Sequence, residues 1–227
     1  MTTATLNRTL FETPRAAEYF SLRELEAMTG QPAESFAAVA LKELVDNALD
    51  AGETAGVSPQ VEIQVLNDGE ALHLEVSDNA EGIPSAAVQR LLNFSTRLSD
   101  KAAYRSPTRG LQGNALKTII GMPHAFGLRE TVVISSSGVR HSILAWVDPA
   151  GQLRVEYGTT PVPTQPGTTV SLTLPAHLML DARYWARAFS LFNPHAAIRM
   201  SFSGPVSQLA YRDDEQIQDF YHSLLSF

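Results

Sequence analysis

Lys42-Glu43-Leu44-Val45-Asp46-Asn47-Ala48-Leu49-Asp50-Ala51 is a run of helix-forming residues with two unlike sides. Leu41, Leu44, Val45, Ala48 and Leu49 recur at helical spacing and predict one buried stripe, in a helix from about residue 34 to 55 that Gly56 and Pro59 bring to a stop. At about 100° per residue, Glu43, Asn47 and Asp50 fall together on the opposite face. A carboxylate and a carboxamide four residues apart suit a magnesium-nucleotide site, where a hard cation takes oxygen ligands and a base orients a water. An ordinary solvated helix face has the same pattern, so the surrounding motifs must decide.

The chain has 227 residues, 44% apolar and 18% charged, with no cysteine and a formal charge of −7. This is enough apolar material for one sizeable core. The missing cysteines exclude a disulfide scaffold, thiolate metal sites and thiol nucleophiles. There is no apolar run of the roughly 18 residues a membrane span needs and no signal-peptide core, so a cytoplasmic protein without membrane contact is expected. The acidic balance argues against gripping DNA through bulk charge, so any contact with DNA is expected to be indirect.

Upstream of the opening helix, residues 15–28 predict a shorter one closed by Gly30 and Pro32. Downstream, 61–66 and 72–76 alternate as strands around the turn signal Asn67-Asp68-Gly69. Asp78-Asn79-Ala80-Glu81-Gly82-Ile83-Pro84 comes next, before a short helix at 85–92. An aspartate at a strand end, with small residues behind it, can accept a hydrogen bond from an exocyclic amine and let a flat ring approach. It also fits a plain Asp/Gly turn. Residues 94–113 are polar and irregular, and Thr108-Arg109-Gly110-Leu111-Gln112-Gly113-Asn114 leads into an apolar helix at 114–120. Backbone N–H groups at such a helix start suit a polyphosphate, although capping alone explains the glycines, and the spacing is not that of a Walker A loop.

Strands are expected at 131–135, 141–147, 153–157 and 168–174, the last entered through Pro166-Gly167-Thr168-Thr169. A helix at 182–192 is stopped by Asn193-Pro194, and a strand at 196–202 follows. Helices mostly first and strands mostly second predict an α+β fold, a two-layer sandwich with helices on one face of a mixed β-sheet. Trp185, Phe189 and Phe192 are expected in the core, His195 in a corner rather than in catalysis, and Arg97, Lys101, Arg105 and Arg109 in a solvated loop.

In this order the motifs resemble the GHKL ATPase superfamily, which includes gyrase B, Hsp90, histidine kinases and MutL. Residues 43–47 resemble its N box, 78–82 its first glycine box, 110–113 its second, and Gly167-Thr168 its last. A narrower similarity is to the ATPase domain of topoisomerase VI B subunits. It rests on 42–56, on Arg109-Gly110-Leu111-Gln112-Gly113 beside that family's Arg-Gly-Gln-Gln-Gly loop, and on Asn193-Pro194-His195-Ala196. It spans about residues 17–202, which implies a Bergerat-type ATP-binding domain over 1–205, with 1–32 as an N-terminal extension and 206–227 as a polar tail.

The resemblance implies ATP and Mg2+ as ligands. Glu43 would be the general base and Asn47 the magnesium ligand. Asp78 would read the adenine amino group, Thr168 would support it, and Gly82 would let the base come close. Gly110, Gln112 and Gly113 would wrap the phosphates, Ser95 and Thr96 would contact the nucleotide from the lid, and Lys117 would add a local positive charge. It further implies slow hydrolysis, closure that controls a homodimer or a DNA-cleaving topoisomerase VI A-like subunit, and DNA only through such a partner. Two departures weigh toward a nucleotide switch without hydrolysis: Ala80 stands where the family has glycine, and Asn114-Ala115 replace Ile-Gly. A histidine-kinase catalytic domain fits less well, because no phosphoacceptor-histidine helix is recognisable.

Overall fold

The computed structural model describes residues 15–94 and 115–204. A 3-10 turn, Arg15–Phe20, precedes helix α1, Leu22–Thr29. The single helix expected here is interrupted at Ser21, whose backbone is extended (φ −123°, ψ 129°). Another short turn, Ala33–Ser35, opens α2, Phe36–Ala55, which ends at Gly56 in the left-handed region (φ 68°). Leu41, Leu44, Val45, Ala48 and Leu49 are all buried, as their spacing predicts.

The described strands form one seven-stranded sheet in the order β5-β4-β3-β6-β2-β1-β7. They are β1 Gln60–Asn67, β2 Ala71–Ser77, β3 Val132–Ser136, β4 Val139–Val147, β5 Leu153–Pro161, β6 Thr168–Pro175 and β7 Ala197–Ser203. Among them only β1 and β7 pair in parallel; every other neighbouring pair is antiparallel. Alternation sends Val61, Ile63 and Val65, then Leu72, Leu74 and Val76, then Val170, Leu172 and Leu174, into one core with the apolar stripe of α2. The fold is thus α+β, as expected, with the mixed sheet as one layer. β5 continues past Gly158 to Pro161 because β4 offers pairing partners along its whole length.

Helix α3, Ser85–Leu91, follows the Asp78 loop. Helix α4, Ala115–Ala125, runs one turn beyond the expected stop at residue 120. Pro123 lies inside its last turn and lacks the N–H that would bond four residues back. Gly121 is needed there, because a Cβ would overlap the carbonyl oxygen of Tyr19 in the first 3-10 turn. Helix α5, Ala182–Phe192, is capped by Asp181, whose carboxylate accepts from Tyr184 N–H at 2.9 Å. Phe189 is buried and Trp185 packs against the core, but Phe192 is 40% exposed, which corrects the expectation that all three are core. It sits in the last turn of α5.

Candidate functional site

The β2–β6 ladder carries the first group of residues. Ser77 pairs with Thr169, and one step further the N–H of Asp78 donates to the carbonyl of Thr168 at 3.0 Å. Asp78 and Thr168 therefore lie side by side where the two strands end. The Asp78 carboxylate accepts from the Ala80 N–H at 2.9 Å. Burial pushes this carboxyl above its ordinary value, opposed by backbone hydrogen bonds from Ala80 and Thr168.

Two glycines let the loops close at this point. Gly167 has φ +88°, and a Cβ on it would overlap the Asp78 carbonyl oxygen and lie 2.6 Å from the carbonyl carbon. Gly82 has φ +90°, and its Cβ would stand 2.6 Å from Ser136 Oγ and 3.0 Å from the Gly167 carbonyl oxygen. The glycine at 82 is thus required by loop-on-loop packing, whatever else approaches it. Ala80 is buried and its φ is not positive, so the methyl group that departs from the family pattern brings no backbone strain. Ala115 is the first residue of α4, where alanine is the best helix former.

Ser136, at the end of β3, joins these pieces. Its hydroxyl accepts from Ile83 N–H at 2.7 Å, donates to the Gly167 carbonyl at 3.1 Å and lies 3.1 Å from Thr168 Oγ1. Asn79 fastens the same loop on its other side, with Oδ1 accepting from Gln60 N–H at 2.8 Å and Nδ2 donating to the Ser58 carbonyl at 3.2 Å.

The second group lies on α2, which packs on β1, β2 and β6. Lys42 Nζ is 2.8 Å from Asp46 Oδ2 and 3.5 Å from Glu43 Oε1. Burial raises the Glu43 carboxyl; the Lys42 ammonium opposes that shift and the Asp46 charge adds to it. For Lys42, burial pulls the ammonium down but the Asp46 and Glu43 carboxylates together outweigh it, so the net shift is upward. Asn47 Nδ2 is buried without a hydrogen-bond partner among the described residues. A buried orphan amide is rare and costly, and the two ends of a carboxamide are interchangeable by a flip. Its chemistry therefore fits an oxygen ligand for a hard cation or a donor to a phosphate. Among the described residues no group of three or more His, Asp or Glu side chains could hold a metal by itself.

Lys117, in the first turn of α4, is fully buried, with its ammonium donating to the Asn93 carbonyl at 2.6 Å and its pKa lowered by burial. The structure thus brings Asp78, Gly82 and Thr168 together and sets Glu43 and Asn47 on one helix above the same strands. Ser95, Thr96, Gly110, Gln112 and Gly113, and the loop arginines and lysine at 97, 101, 105 and 109, lie outside the described residues. His195 is exposed and pairs with Glu53 at 2.9 Å, while its carbonyl accepts from Ser58 Oγ, which ties the Asn193-Pro194 corner to the end of α2.

Sequence reading missed Ser136, Lys42 and Asn79. Ser136 had no local signal beyond a strand end before a Ser-Gly turn. The sheet's outer face also holds a groove of about 540 Å3 whose lining includes Gln64, His73, Glu75 and Thr173, and none of the candidate site residues lines it. No helix among the described residues is long and apolar enough to cross a membrane.

Residues 33–178 match the family described as histidine kinase-, DNA gyrase B-, and HSP90-like ATPase. The type 2 DNA topoisomerase 6 B subunit of Thermococcus sibiricus is 31% identical over 140 residues, covering 60% of this chain and 24% of that protein. The protein of the same name from Natronomonas pharaonis is 32% identical over 105 residues, 46% of this chain and 13% of that protein. DNA mismatch repair protein MutL of Acidiphilium cryptum is 39% identical over 87 residues, 36% of this chain and 13% of that protein. The chain therefore spans less than a quarter of the length of each of these relatives.

Proposed function

The chain belongs to the histidine kinase-, DNA gyrase B- and HSP90-like ATPases, and from that membership we propose that it binds ATP with Mg2+ and hydrolyses it slowly, nucleotide-driven closure controlling a dimer or a partner subunit. The observation that carries the ligand is the buried, unpartnered amide of Asn47 four residues after Glu43. A magnesium ion would screen phosphate charge and lower the barrier to attack by water. Asn47 would give it a protein oxygen, with phosphates and waters supplying the rest, in keeping with magnesium's habit of retaining few side-chain ligands.

Glu43 acts as general base in this reading. One of its oxygens faces Lys42, and burial raises its basicity toward the working range of a base at neutral pH. Asp78, beside Thr168, accepts from the exocyclic amine of adenine. Gly110, Gln112 and Gly113 carry the phosphates, with Ser95 and Thr96 in the lid. Lys117 serves from beneath through Asn93, two residues before Ser95. Domain limits of 1–205 and 206–227 belong to the same proposal. So does a topoisomerase VI A-like partner that alone would meet DNA.

The test is Glu43→Gln, which removes the base and keeps the shape. Phosphate release is expected to fall by about 10²-fold or more, with ATP affinity by calorimetry unchanged. Equal release by the variant removes Glu43 from the role. Binding without release in the wild-type chain would instead favour a nucleotide switch. The backbone at Ala80 lies outside the left-handed region, so the alanine brings no backbone strain to either reading.

A further inference from the structure

We infer that Ser136 is a specificity-determining positioning residue: it fixes the direction of the Thr168 hydroxyl proton, so that the base end of the site offers only acceptors and selects a purine with a 6-amino group over one with a 6-keto oxygen. The inference rests on the reading of Asp78 and Thr168 as base contacts and adds to it the residue that sets their polarity.

A serine hydroxyl has one proton and two acceptor positions. Ile83 N–H occupies one acceptor position at 2.7 Å. The Gly167 carbonyl can only accept, so the Ser136 proton goes there, at 3.1 Å. What remains is one lone pair, and Thr168 Oγ1 lies 3.1 Å away. The one arrangement that leaves none of these contacts without a proton makes Thr168 the donor in that pair. Ser136 is 4% and Thr168 6% exposed, so water cannot readily substitute for any of these bonds.

With its proton committed inward, Thr168 Oγ1 keeps only lone pairs for a ligand. Its neighbour Asp78, when ionised, is also acceptor-only. An amino group satisfies both, whereas a keto oxygen meets lone pairs on two sides. Thr168 could turn its proton outward to meet a keto oxygen, but Ser136 would then lose a partner inside the protein. That lost bond is what discriminates.

The probes are ATP and inosine triphosphate, which differ at purine position 6, titrated with Mg2+ by calorimetry into the purified chain. The wild-type chain should bind ATP more tightly. In Ser136→Ala the Thr168 proton is released, and the ratio of the two dissociation constants should shrink about fivefold, the worth of one neutral hydrogen bond. Ser136→Cys keeps the shape while weakening all three bonds; it should move the ratio the same way and serves if the alanine variant does not fold. In a Thr168→Ala background the Ser136 substitution should no longer change the ratio. A purely structural role for Ser136 would lower both affinities together and leave the ratio alone, which overturns the inference, as does an unchanged ratio in Thr168→Ala. Failure of the wild-type chain to bind ATP at all would instead overturn the parent reading, and this inference with it.

Discussion

Replacing Gly167 by alanine tests whether the meeting of Asp78 and Thr168 is built on close backbone contact. The new Cβ must find room where the structure has the Asp78 carbonyl group, 2.6 Å from its carbon and 3.0 Å from Oδ1, at a residue with φ +88°. The left-handed conformation costs a non-glycine residue about 1–2 kcal/mol, and overpacking against backbone adds about 1–3 kcal/mol. A total of about 2–5 kcal/mol corresponds to a melting point lower by roughly 5–15 °C in a chain of this size. Gly127→Ala separates the two contributions, because Gly127 has φ +76° and nothing within 4 Å of its Cβ position. It should melt only about 3–6 °C lower. Differential scanning calorimetry measures both, and ATP titration of each folded variant tells whether the site is lost with the contact. If Gly167→Ala melts like Gly127→Ala and binds ATP as the wild-type chain does, the close approach is not what forms the site.

Asp78→Asn should abolish most ATP affinity without lowering the melting point at pH 7. Burial holds the folded carboxyl above its unfolded value, so the native state binds a proton more readily between the two, and wild-type stability falls as pH rises through that window. Asparagine has no charge to bury and so removes that cost. The stability gap between variant and wild type should therefore narrow on acidification, and a gap that widens contradicts the assignment. Lys42→Met should move the acid limb of turnover to higher pH, because the ammonium holds the Glu43 carboxyl down against burial and Asp46. A pH–rate profile that shifts downward or stays in place would remove Lys42 from that electrostatic role.

Much of this molecule is legible in local pattern. The two-sided run from Lys42 to Ala51 predicts α2 and its buried stripe because helical period and apolar spacing coincide. Turn residues such as Asn67-Asp68-Gly69 locate the β1–β2 hairpin for the same local reason. Where the structure departs, a distant partner is responsible. Helix α4 passes Gly121 because Tyr19 packs against it, and β5 outlasts Gly158 because β4 continues to pair. Phe192 shares the helical spacing of Trp185 and Phe189 yet stays 40% exposed, which spacing alone cannot state.

Candidate chemistry divides along the same line. Glu43, Asn47, Asp78, Gly82 and Thr168 could be named from residue type and order, since a carboxylate or a glycine before a strand advertises itself. Ser136 could not, because a serine at a strand end is unremarkable until strand pairing sets it against Thr168, Gly167 and Ile83. By itself the sequence determined the elements, the fold class and the residue types available for chemistry, all of which depend on contacts within a few positions. Only the tertiary structure decided which glycines are obligatory, which amide nitrogen is left without a partner and which hydroxyls meet. Those depend on atoms far apart in the chain being brought into contact, as Ser136 and Thr168 are across 32 positions and Gly167 and Asp78 are in their backbone approach.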